Sequence, residues 1–184
     1  MPSNIYIGKR SSKEGWISFE SDPHHKRTRD DIYGRCLPCI ENLRKQLIAG
    51  KKEIQLKEPL NCWKVTIILK NLDECYEFLS LYENKYLFRD VYGKFGSGRK
   101  DADTKVTVFH TQSEKERDTL YKEAKECLMV LGRERNVFIS RGCANLYGDI
   151  LGDWKNWKVF TPLKDGVNVR KKIEMLNKLL YYSS

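Results

Sequence analysis

The sequence predicts an α+β fold: one antiparallel sheet carrying two helices on a single face, with additions at both ends of the chain. Three observations between residues 61 and 148 carry this. Strand-like and helix-like stretches alternate in the order β-α-β-β-α-β. Both helices begin on a capping pattern, Asn71 with Glu74 and Ser113 with Glu116. The two β-α halves also open alike, Val65-Thr66-Ile67-Ile68 against Val106-Thr107-Val108-Phe109. This is the element order of the ferredoxin-like βαββαβ sandwich, in which right-handed crossovers put the first and third strands in the middle.

Residues 1–60 read as an N-terminal extension. Asn4 to Ile7 and Trp16 to Glu20 suit a hairpin. Pro38 to Ile48 suits a helix, with Ile40, Leu43 and Leu47 on one side and Gly50 as its stop. Within residues 61–148, the β-branched run Trp63 to Lys70 is the first strand. Leu72, Cys75, Leu79 and Tyr82 then recur at helical spacing behind the Asn71 cap. Tyr86 to Phe95 is the second strand and Thr104 to His110 the third. Leu120, Ala124, Cys127, Leu128 and Leu131 stripe the second helix, which Gly132 ends. Asn136 to Ser140 is the fourth strand. Residues 149–184 are a basic segment closing on a helix, Val167 to Tyr182, with Val169, Ile173, Leu176 and Leu180 on its apolar side.

Charge points to the partner. The 184 residues hold 34 Lys and Arg against 25 Asp and Glu, a net +9. Residues 1–60 and 151–184 carry +4 each, while residues 101–150 carry −1. A basic balance of this kind favours an anionic partner without naming which one. No apolar run approaches the roughly 20 residues of a membrane span, and Met1 to Arg10 has no signal-peptide core, so no membrane association and a cytoplasmic setting are expected. In that setting the six cysteines are expected to be thiols or metal ligands.

Alternation along the strands assigns the two faces of the sheet. Val65, Ile67 and Leu69, with Val106 and Val108, are expected to face the helices. Lys64, Thr66, Ile68 and Lys70, with Lys105, Thr107 and Phe109, then form the other face. Lysines around a ring suit RNA, since bases stack on aromatic faces and phosphates pair with ammonium groups. The competing expectation is that residues 1–60 or the C-terminal helix cover this face. Beside it, Lys94, Arg99 and Lys100 surround Gly93, Gly96 and Gly98, in a loop where glycine lets the backbone approach a phosphate. Two further basic stretches are candidate contacts. His24 to Arg29 brings Lys26, Arg27 and Arg29 as an arm after Pro23, and Trp154, Lys155, Trp157 and Lys158 interleave rings with cations.

Two other chemistries have candidate residues. His110, Arg141 and Cys143 fall at one end of the sheet, where they suit an anion and offer a general acid or base and a nucleophile for a nucleotide or RNA phosphodiester. Cys36-Leu37-Pro38-Cys39 precedes a helix and can bite a zinc ion, with His24 or His25 as further ligands. A second CxxC is missing, and no carboxylates show the spacing of a two-metal site. The leading expectation is a nucleic-acid-binding protein, RNA favoured. An enzyme acting on a nucleotide or RNA and a zinc-stabilised interaction module are the alternatives.

Overall fold

A computed structural model describes residues 4–10, 15–97, 102–133 and 135–181. In chain order the elements are β1 (Tyr6–Arg10), β2 (Trp16–Glu20), a π-helical segment Thr28–Gly34, α1 (Arg35–Ile48), β3 (Glu53–Gln55), β4 (Trp63–Leu69), α2 (Leu72–Lys85), β5 (Tyr92–Gly96), β6 (Lys105–Thr111), α3 (Glu114–Val130), β7 (Val137–Arg141), α4 (Ala144–Leu151), β8 (Phe160–Pro162) and α5 (Val169–Tyr181). The fold is mixed α+β. Six strands form one sheet in the order β1-β2-β5-β6-β4-β7, and β3 pairs with β8 in a separate ribbon. The β1–β2, β2–β5, β5–β6, β6–β4 and β3–β8 pairs are all antiparallel.

The chain divides into two compact units, residues 1–32 with 63–139, and residues 33–62 with 140–184. This differs from the expected three-part division at residues 60 and 148. The reason lies in strand pairing: β2 lies along β5, so the N-terminal hairpin widens the sheet, while β3 finds its partner in β8.

In the first unit, helices α2 and α3 cover one face of the sheet. Val65, Ile67 and Leu69 of β4 meet Phe78, Leu79 and Tyr82 of α2 and Leu120, Ala124 and Leu128 of α3. Phe109 sits at the centre, its ring 5.2 Å from Phe19, 6.3 Å from Phe78 and 5.0 Å from Tyr82. Both capping patterns form: Asn71 Oδ1 accepts the Glu74 N–H at 2.9 Å, and Ser113 Oγ the Glu116 N–H at 3.2 Å. The buried Glu123 is satisfied by Tyr82 Oη at 2.5 Å and by the Arg89 guanidinium. The expected strand from Tyr86 is shorter. Tyr86 caps α2, Phe88 takes φ +65°, and extended pairing starts only at Tyr92.

In the second unit, α1, α4, α5 and the ribbon enclose Leu43, Leu47, Ile54, Tyr147, Ile150 and Leu176. Tyr147 Oη donates to the Cys39 carbonyl at 2.9 Å, and the indole N–H of Trp157 donates to the Gly152 carbonyl at 3.2 Å. Helix α1 begins at Arg35, three residues before the expected start, so Cys36 and Cys39 lie inside it and not ahead of it. Pro38 has no N–H to give the preceding turn, and the wider π-helical turns stand directly before α1.

Candidate nucleic-acid interface

The face of the sheet opposite α2 and α3 is covered at one end, where Arg27 and Thr28 lie against the buried Glu20 and Tyr92, and half-exposed over Trp16, Ser18, Lys94, Lys64 and Thr66. Along β4, burial alternates residue by residue: Trp63, Val65, Ile67 and Leu69 are buried, while Lys64, Thr66 and Ile68 are half-exposed. Registers extend this face into rows. Ser18 stands across from Lys94, Lys94 from Val108, and Val108 from Thr66. Trp16, Gly96, Val106 and Ile68 form a parallel row. Ile68 N–H bonds the Asn136 carbonyl at 3.0 Å, so antiparallel continuation brings Phe138, half exposed at 50%, to the end of the row holding Thr66. Rings therefore flank the face, Trp16 on β2 and Phe138 on β7, with Lys94 and Lys64 between them. Lys94 Nζ lies 4.2 Å from the Trp16 ring centroid.

The acidic side chain that alternation brings to this face among the described residues is Glu20, which is fully buried. Both of its carboxylate oxygens are taken by backbone N–H groups, those of Arg27 and Thr28, each at 2.8 Å. His110 stands across from Lys64 and stacks near Tyr92, with centroids 6.2 Å apart. Burial of the imidazole, reinforced by the Lys64 and Lys94 ammonium groups, holds its pKa down to about 3. The ring is therefore neutral at pH 7, and its Nε2 is buried without a hydrogen-bond partner.

The expected phase of β6 is reversed. Val65 pairs with Phe109 and Ile67 with Thr107, which puts Phe109 and Thr107 on the helix side, both with 0% exposure. The large ring fills the space between Phe19, Phe78 and Tyr82, so Phe109 is a core residue and offers no surface for a base. Lys105 shares that phase, and its Nζ donates to the Ala102 carbonyl at 2.7 Å. Gly93 and Gly96 are also explained by the protein itself. A Cβ on Gly93 would stand 2.0 Å from the Val108 carbonyl oxygen, and one on Gly96, at φ +116°, 2.1 Å from the Gly15 carbonyl oxygen. Gly98, Arg99 and Lys100 lie outside the described residues.

The basic stretch after Pro23 is no loose arm. His24 N–H bonds Asp22 Oδ1 at 2.9 Å, and helical turns begin at Lys26. Arg27 lies over the Tyr92 ring at 4.1 Å and pairs with Asp90 at 2.5 Å. Lys26 and Arg29 remain exposed. In the second unit, Trp157 is buried against Tyr147, at 5.7 Å, and is unavailable to a base. Trp154 is partly buried, while Lys155 and Lys158 are exposed.

The three candidate catalytic residues are divided between the units. His110 belongs to the first. Arg141 and Cys143 belong to the second, where the Arg141 guanidinium donates to the Leu60 carbonyl and the Cys143 carbonyl accepts the Tyr147 N–H at 3.0 Å. The proposed zinc ligands are divided in the same way. Cys39 is buried in the second unit, His24 and His25 lie in the first, and nothing is described of the Cys36 side chain. Among the described residues no three His, Cys, Asp or Glu side chains gather as a metal site. The rings missed in the sequence are Trp16 and Phe138. Trp16 lies in an N-terminal strand whose pairing with β5 is set by tertiary structure, and Phe138 alternates with inward-facing neighbours. No helix among the described residues is long and apolar enough to cross a membrane. The chain matches no family model, no curated protein and no solved structure.

Proposed function

We propose that this protein binds single-stranded nucleic acid, RNA in preference to DNA, across the half-exposed part of the sheet face opposite α2 and α3. The observation that carries the reading is the pairing of flanking rings with central lysines on a face whose acidic side chain is buried and satisfied. Bases stack on rings whatever their identity, and ammonium groups neutralise phosphates. We read the order β5-β6-β4-β7 as a ferredoxin-like sheet widened by the β1–β2 hairpin, an arrangement that would supply a platform for a nucleic-acid strand. Among the described residues Cys75 and Cys127 are buried free thiols, which suits a reducing, cytoplasmic setting.

Fluorescence anisotropy with a short unstructured RNA, between 50 and 300 mM salt, tests the reading. The logarithm of the binding constant should fall linearly with the logarithm of salt. Replacing both lysines (Lys64→Gln with Lys94→Gln) should reduce that slope by about 1.4, at about 0.7 per phosphate of a single strand. Trp16→Ala should weaken binding by about 1–3 kcal/mol with little change of slope. Absence of binding to RNA or DNA oligonucleotides at 50 mM salt would exclude the function.

A further inference from the structure

We infer that the β3–β8 ribbon of the second unit is a second nucleic-acid contact, a surface that grips phosphates with Phe160 as its stacking ring. The inference rests on the nucleic-acid reading above and adds a site to it. The first support is where the charge lies. Residues 33–62 and 140–184 hold 14 Lys and Arg against 7 Asp and Glu, a net +7, which leaves +2 for the first unit.

The ribbon concentrates that excess. Gln55 stands across from Phe160, Ile54 from Thr161 and Glu53 from Pro162. Ile54 and Thr161 are buried, as is Leu56, while Gln55, Pro162 and Phe160 (56% exposed) face outward. Pairing continues beyond the strands, with Leu56 N–H on the Val159 carbonyl at 2.8 Å and Leu163 N–H on the Lys52 carbonyl at 2.9 Å. Lys57 and Lys158 therefore flank one end of the ribbon, and Lys51, Lys52 and Lys164 the other. All five are exposed, and among the described residues none forms an ion pair. Like charges across a ribbon repel, and an anion laid along it removes that repulsion. Five residue steps separate Lys52 from Lys57, about 17 Å of strand, which is the reach of a few nucleotides.

The edge of the ribbon is also partly occupied. Gln46 Oε1 accepts the Gln55 N–H at 2.8 Å, and Gln46 Nε2 donates to the Gln55 carbonyl at 3.1 Å. The outer edge of β3 is thereby filled at Gln55, which disfavours an added peptide strand and leaves the side-chain face as the binding surface. Beside it lies a basin of about 600 Å³, lined by Gln46, Lys51, Lys52, Glu53, Gln55 and Phe160. Its lining of one ring, two amides and two ammonium groups, with Glu53 as its carboxylate, leaves the cations in excess and suits a base with its phosphate.

The test uses the full chain and a 24-nucleotide unstructured RNA in the same salt titration. A variant carrying Lys51→Gln, Lys52→Gln, Lys158→Gln and Lys164→Gln should lose about 2.8 from the salt slope, at about 0.7 per phosphate, and bind at least tenfold more weakly at 100 mM salt. Phe160→Ala should weaken binding about fivefold or more with the slope unchanged. If the fourfold variant melts at a lower temperature, Lys51→Gln and Lys164→Gln alone should each lower the slope by about 0.7. Binding within twofold of wild type and an unchanged slope in these variants would overturn the ribbon site, while loss in Lys64→Gln with Lys94→Gln would still uphold the sheet reading. Wild-type protein that ignores RNA yet binds vesicles containing phosphatidylserine, or a polyglutamate peptide, would overturn both.

Discussion

Phe109 and Gly93 meet in the same few ångströms of core. Gly93 pairs with Phe109, and the Phe19 ring lies across the place a Gly93 side chain would occupy. Gly93→Ala would bring a methyl group 2.6 Å from the Phe19 ring as well as against the Val108 carbonyl, and should destabilise the protein by at least about 2 kcal/mol in urea unfolding. Phe109→Leu should cost roughly 1–2 kcal/mol of stability yet leave RNA affinity within twofold, which separates a core ring from a stacking ring. His110 gives a pH signature. Its folded pKa, about 3, lies below the unfolded value of 6.5, so the unfolded chain takes up the proton first. Stability from this residue is complete above pH 6.5 and falls as pH drops toward 3, by at most about 1.4 kcal/mol per pH unit. Urea melts at pH 7, 6 and 5, above the carboxylate range, should show the decline, and His110→Gln should flatten it.

At the scale of elements, the caps were legible because they are local. Asn71 and Ser113 each bond the N–H three residues on, a contact that needs only the helix itself. Asn71→Ala and Ser113→Ala should each cost about 1 kcal/mol in thermal or urea unfolding, and the two losses should add. The phase of β6 was not legible. Thr104 to His110 carries apolar side chains at both parities, Val106 and Val108 on one and Phe109 on the other, so alternation has no unique reading. The structure settles it by volume, since the ring fills the helix-side core. Val108 is nonetheless buried, on the same face as Tyr92 and Glu20, where Arg27 and Thr28 also lie. The ribbon was missed for a different reason. Three-residue strands more than a hundred residues apart leave no periodic trace, and their pairing exists only once the chain has folded.

At the scale of the whole chain, the sequence suggested contiguous segments, whereas the fold interleaves them. The first unit takes Ile5, Ile17 and Phe19 from the N-terminal hairpin into the same core as β4, β5 and β6, and residues 33–62 leave that core for the second unit. Ile17 is 4% exposed and Phe19 fully buried, so removing the hairpin uncovers the Phe95 and Phe109 rings. Residues 61–148 expressed alone should therefore fail to fold cooperatively, since the hairpin rings contribute several kcal/mol of burial against a marginal total. A chain joining residues 1–32 to 63–139 through a short Gly-Ser linker should instead melt cooperatively, with native-like near-ultraviolet circular dichroism. The comparison has a clear adverse result: a sharp, reversible melt from residues 61–148 alone would mean that the hairpin decorates the sheet and does not complete it. Because that joined chain retains Trp16, Lys64, Lys94 and Phe138 but only +2 of the charge, it should bind RNA with a shallower salt dependence than the full protein.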